Sequence, residues 1–161
     1  MRVLIVLFAL MTAACGFAPM YAQPGGQSAI GPVTVAPIPG KAGHVLRTEL
    51  TRLLAVESGG AEPSHLEITL VESVIPLGIQ LDETATRAEF HLAANYALTP
   101  PRGRVIRGAI ATIADYEIPT AAYGEVAAQD DARERAAEVM AQRFRAELAL
   151  RMAQAREGAA Q

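Results

Sequence analysis

Arginine carries nearly all the positive charge of this chain, and three arginines cluster where two candidate strands meet. Arg102, Arg104 and Arg107 surround the turn Pro100-Pro101-Arg102-Gly103, Arg87 stands at the start of the preceding strand, and Lys41 is the only lysine. A guanidinium offers a planar fork of N–H donors that fits phosphate or carboxylate. These four arginines are therefore candidate contacts for the phosphates of a glycolipid or the acidic wall of a partner, although arginines beside a turn also simply keep it soluble. Groups able to do covalent chemistry are scattered. His44, His65 and His91 are isolated; only His65 has an acid in phase, Glu67, and a metal site would need a third ligand. Ser28, Ser58, Ser64 and Ser73 lie in no Gly-x-Ser-x-Gly turn, and Ser64-His65 adjacency does not make a triad. Gly25-Gly26 and Gly59-Gly60 lack the strand–glycine–helix setting of a phosphate cradle. The expectation is a protein with no catalytic residue, no metal and no cofactor.

Cys15 is the single cysteine, which excludes an intrachain disulfide and any multi-cysteine metal site. Met1-Arg2 give a positive start, and Val3 to Met11 is an unbroken apolar run. As a helix that run reaches ~14 Å, about half of a ~30 Å hydrocarbon core, so it reads as a secretory signal and not a span. Thr12-Ala13-Ala14 then lead into Cys15. This resembles a bacterial lipobox with Thr12 in place of the usual Leu, in which the thiol receives a diacylglycerol before cleavage on its N-terminal side. An ordinary leader cleaved at Ala14 or after Ala22 is the alternative. Gly16 follows the cysteine, and in the lipoprotein class the absence of Asp there implies sorting to the outer membrane, facing the periplasm.

The elements that must position these groups follow from periodicity. Residues 1–14 are the leader, and 15–29, rich in Gly, Pro, Ala and Gln, are a lipidated start and flexible tether. The domain occupies 30–156, with 157–161 as a disordered tail. A short strand spans about Ile30 to Ile38, demoted to an edge by Pro32 and Pro37, which lack amide donors. Gly40 and Gly43 open a helix with Val45, Leu46, Leu50, Leu53 and Leu54 on its stripe, ended by Ser58-Gly59-Gly60. Three alternating segments follow. The first has Leu66, Ile68 and Leu70 on one face, and the second Phe90, Leu92, Ala94, Tyr96 and Leu98. The third carries Ile106, Ile110 and Ala114. Gln129 to Arg156 form a long helix, with Ala132, Ala136, Met140, Phe144, Leu148 and Met152 every fourth residue, joined by Val139. Asp130 and Asp131 suit its positive N-terminal end. The order βαβββα predicts a two-layer α+β domain, a four-stranded mixed sheet with two helices on one face.

The chain has 161 residues, 51% apolar and 19% charged, with a formal charge of −3. That is enough for one domain, and the acidic balance argues against a nucleic-acid partner, which needs a basic surface.

After the cysteine the chain reads Cys15-Gly16-Phe17-Ala18-Pro19-Met20-Tyr21. This resembles the Cys-Gly-Phe-x-Pro-Leu-Tyr start of the LPS-assembly lipoprotein family LptE of alphaproteobacterial type, with Met20 in place of Leu. The likeness continues in order and spacing through the Gly43-to-Leu54 helix, Arg87-Ala88-Glu89-Phe90 and Ala94-Asn95-Tyr96-Ala97-Leu98. It goes on with Gly103 and Gly108 bracketing the next strand, Tyr116, Tyr123, and Gln129-Asp130-Asp131-Ala132 with Arg135-Ala136-Ala137. It covers nearly the whole chain, and the heptad is its specific motif.

The resemblance implies the same fold and a non-enzymatic role. The domain would plug the lumen of the LptD outer-membrane β-barrel, help it assemble, and help insert lipopolysaccharide at the cell surface. Where relatives carry basic residues before the Phe90 strand and before the last helix, this chain reads Asp82-Glu83 and Glu125-Val126. Arg87, Arg102, Arg104 and Arg107 are the substitutes on offer. Two other classes compete: a ligand-binding lipoprotein serving envelope lipid transport, which needs an apolar pocket of ~300 Å³ or more, and a hydrolase.

Overall fold

The structure, a computed structural model, describes residues 30–55, 62–79 and 85–159. The leader, Cys15, the tether, Ser58-Gly59-Gly60 and Asp82-Glu83 lie outside the described residues. The elements are β1 (Val33–Val35), α1 (Lys41–Leu53), β2 (Ser64–Ile79), β3 (Ala85–Thr99), β4 (Ile106–Glu117) and α2 (Ala122–Ala159). They form one four-stranded sheet in the order β1-β2-β3-β4, with β1 parallel to β2 and the other pairs antiparallel. Both helices lie on one face, so the α+β, βαβββα architecture expected from the periodicity is the one adopted.

Register explains why one parity faces the helices in every strand from β2 to β4. Val35 pairs with Leu66, Leu66 with Leu98, and Leu98 with Ile106, so even-numbered residues of β2, β3 and β4 share the helix-covered face. Phe90, Leu92, Ala94, Tyr96 and Leu98 are all buried there. On α2 the fourfold stripe of Ala132, Ala136, Met140, Phe144 and Leu148 is buried as well. Val139 is not part of it and is 47% exposed. One residue from Met140 is a ~100° rotation, which carries its side chain off the core face. Ala137 and Ala141 fill that flank instead, both fully buried.

Several element boundaries differ from the periodic reading, and β1 is confined to Val33–Val35 where about Ile30 to Ile38 was expected. β2 continues to Ile79, well past the alternation that ends near Val71, because pairing with β3 holds it in register even at Pro76. α2 begins at Ala122, so Asp130 and Asp131 sit two turns inside it and Glu125-Val126 lie in its opening turns, not before it. Glu125, in the first turn, is the carboxylate next to the positive helix end. At its other end α2 runs to Ala159, past Arg156. Gly108, expected to bracket β4, lies within it opposite Tyr96, whose ring covers the position a side chain would take.

Both sheet edges are blunted, as soluble sheets require. Ser64 N donates to Pro32 O at 2.9 Å and Ala36 N to Leu66 O at 2.9 Å, so even-numbered backbone groups of β2 face outward. Pro76 occupies such a position, where an N–H would have pointed away from the sheet. On the opposite edge, Arg135 donates to Asp115 O at 3.2 Å and Arg143 to Ala111 O at 2.6 Å. Eight helical residues rise ~12 Å and four strand residues ~13 Å, so α2 carries its guanidinium groups at the spacing of the carbonyls they cap.

α1 starts where Gly40 adopts φ 85°, a left-handed conformation. Gly43 is buried in the first turn, and a Cβ there would fall 2.7 Å from Ile38 O. Gly43→Ala gains ~1 kcal/mol of helix propensity, but displacing rigid backbone costs about 1–3 kcal/mol. The expected result is a net loss of about 1 kcal/mol in urea denaturation; a stabilised variant would contradict the close approach.

Candidate interaction surface

The β3–β4 hairpin is built for exposure. Thr99 ends β3, Pro100 and Pro101 cannot extend the ladder, and Gly103 takes φ 109°, closed to other residues without strain. Arg102 and Arg104 project from this turn into solvent, and Arg107 follows on the uncovered sheet face in a row with Ala97 and Glu67. Among the described residues no ion pair engages any of the three. Their charges remain available to an external anion.

Arg87 is elsewhere. It pairs with Glu117 at the opposite end of β3, ten residues from Ala97 and therefore ~33 Å from the hairpin cluster. There it lines an open groove of about 430 Å³ with Asp115, Tyr116, Glu117, Asp131 and Arg135, among others. Three carboxylates against two guanidinium groups do not make an anion site. Burial, and next the charge of Glu125, raise the Tyr116 hydroxyl above its ordinary 10.0, so it stays a neutral donor. The structure thus brings three of the four candidate arginines together and separates the fourth.

The histidine–carboxylate pair that forms is His91 with Glu89, 2.7 Å apart on the open face. Spacing favoured His65 with Glu67, yet the same i, i+2 offset in Glu89-His91 was an equal signal. Among the described residues no three His, Cys, Asp or Glu side chains converge as metal ligands.

A second polar cluster ties the two layers together. Asp130 accepts from Lys41 Nζ at 2.5 Å and from Arg133, which also reaches Glu72 Oε2 at 3.0 Å and stacks over the Phe90 ring at 5.2 Å. The Lys41 hydrogen bond holds the Asp130 carboxyl below its ordinary 3.8, with Arg133 adding to the effect. A carboxylate whose folded pKa is depressed stabilises the fold fully above the unfolded value, and that stabilisation is lost as pH falls through the folded value. Asp130→Asn should therefore lower the melting temperature at neutral pH, and the difference from the parent should shrink as pH falls below the ordinary 3.8 and the folded carboxylate takes up its proton. A difference that persists unchanged into acid would assign it to packing.

With this geometry in view, comparison with solved structures is informative. A chain described as a lipoprotein from Caulobacter crescentus CB15 shares the fold with a TM-score of 0.58 and 23% identity, over 80% of this chain and 93% of that one. A minor lipoprotein from Acinetobacter baumannii is similar with a TM-score of 0.54 and 14% identity, over 74% of this chain and 95% of that one. These likenesses establish the fold. No protein-family model matches the chain, and no curated protein does.

Proposed function

We propose that this chain is a non-enzymatic lipoprotein of the Gram-negative envelope, anchored through Cys15 to the periplasmic face of the outer membrane. There it plugs and helps assemble the LptD β-barrel and assists insertion of lipopolysaccharide at the cell surface. The observation that carries this reading is a fold shared with two lipoprotein chains over nearly their whole length, attached here to a leader that ends in Cys15. The Cys15-to-Tyr21 heptad supports the LptE-like assignment. A barrel of many strands has a wide, wet lumen, and a plug needs a polar exterior and blunted sheet edges to occupy it without aggregating. Blunted sheet edges are a feature of this domain.

Arg102, Arg104 and Arg107 are the groups offered to lipopolysaccharide phosphates or to carboxylates of the barrel wall, with Arg87 a separate contact. The test is detergent extraction of the outer membrane and pull-down on this chain at native abundance. A large β-barrel recovered in one-to-one ratio is the expected result, and its absence would sink the plug role. Unchanged lipopolysaccharide binding after replacing the three hairpin arginines would remove their part alone.

A further inference from the structure

Odd-numbered residues of β2, β3 and β4 occupy the sheet face opposite the helices, and no described element packs on it. The row Val71–Ala93–Ala111 crosses its middle. Four residues along β4 in one direction is Arg107, and four in the other is Asp115, beside Glu89 of β3. Arg107 and Asp115 thus flank the row at equal distances, with Glu67 in the row of Arg107, and Glu89, Glu117 and Arg87 on the side of Asp115.

We propose that this open face is the interface of a symmetric dimer of the chain, its two-fold axis lying along the row Val71–Ala93–Ala111. Rotation about that row reverses strand direction and lays each strand over its own copy, as an isologous contact requires. Arg107 then meets Asp115 of the second copy, with Glu89 of the second copy one strand away, and the pair recurs across the axis. Glu67, the acid in the row of Arg107, meets Ile75 by the same register. Val71, Ile75 and Ile113 are 57%, 43% and 56% exposed and lose that exposure in the sandwich. From His65 to Leu77 the face is ~40 Å long, and three strands with their side chains make it ~15–20 Å wide. That is about 600–800 Å² per copy, near what a stable interface buries. The inference concerns a second copy of this chain and does not rest on the barrel reading.

Sedimentation equilibrium of the full chain in density-matched detergent tests it, with a dimer expected at micromolar concentration. Arg107→Glu and Asp115→Arg, each at an exposed position, should each raise the dissociation constant about tenfold or more. The double variant should return to within about threefold of the parent. In a Cys15→Ser background, Ala93→Cys on the axis should cross-link to itself with a short-spacer bismaleimide, because facing sheets stand ~10 Å apart, beyond the reach of a direct disulfide. Thr99→Cys, ~20 Å from the axis, should not. A parent that is monomeric at ~100 μM, a charge variant that dimerises like the parent, or a double variant that does not recover would each overturn the proposal. If a charge variant fails to fold, the Ala93 cross-link decides, and its absence is equally fatal.

Discussion

Phe144→Ala is expected to destabilise the domain by about 3–5 kcal/mol, the cost of emptying a fully buried aromatic site. Phe144 has no exposed surface, and its ring packs edge-on against Tyr96 with centroids 5.3 Å apart and planes at 69°. Tyr96 in turn covers Gly108 and reaches Glu147 Oε1 at 3.4 Å through its hydroxyl. Burial, and then the Glu147 charge, raise that hydroxyl above its ordinary 10.0 and keep it a donor. Removing the Phe144 ring leaves Tyr96 without its packing partner at the junction of α2 with β3 and β4. Domains of this kind have about 5–15 kcal/mol in total, so the variant should melt about 10 °C lower or more. A loss under 1 kcal/mol in denaturant would mean that α2 is rotated from the arrangement described.

Cys15→Ser should move the protein from the membrane to the aqueous fraction while leaving its folded domain intact. Each buried CH₂ contributes ~0.8 kcal/mol to membrane affinity, so two or more acyl chains anchor stably where one holds only marginally. No helix among the described residues is long and apolar enough to cross a membrane, so none of them replaces the anchor. Detergent phase partitioning and intact mass measure the effect. The parent should carry the mass of acyl chains on residue 15, and the variant should lack it yet melt at the parental temperature. A parent that carries no acyl mass on residue 15 would refute lipid anchoring.

Much of the architecture was legible because its signals are local. Alternation in Phe90 to Leu98 and the fourfold stripe from Ala132 to Leu148 each name a buried face without reference to any other segment. Where that locality failed, the outcome shifted. Pro76 and Gly78 hid the second half of β2, which only pairing with β3 sustains. Tyr123, Gly124 and Val126 obscured the first turns of α2, and the two aspartates that looked like its cap are instead partners of Lys41, Arg133 and Arg135. Asp131–Arg135 and Glu147–Arg151, each an acid four residues before an arginine, are paired at 2.9 Å and 2.8 Å because four residues along one helix fix their separation.

Residue order alone settled the fold class, the identity of the buried faces, the exposed arginine turn and the position of the only thiol. Each follows from spacing along a single helix, strand or leader. Tertiary structure decided which charges share a surface. Arg87 stands ~33 Å from the hairpin arginines because ten extended residues of β3 separate it from Ala97, the partner of Arg107. Arg135 and Arg143 cap β4, and Arg107 and Asp115 flank the open face at equal distances. Those relations depend on register between strands and on the height at which α2 docks, and pairing across tens of residues sets both.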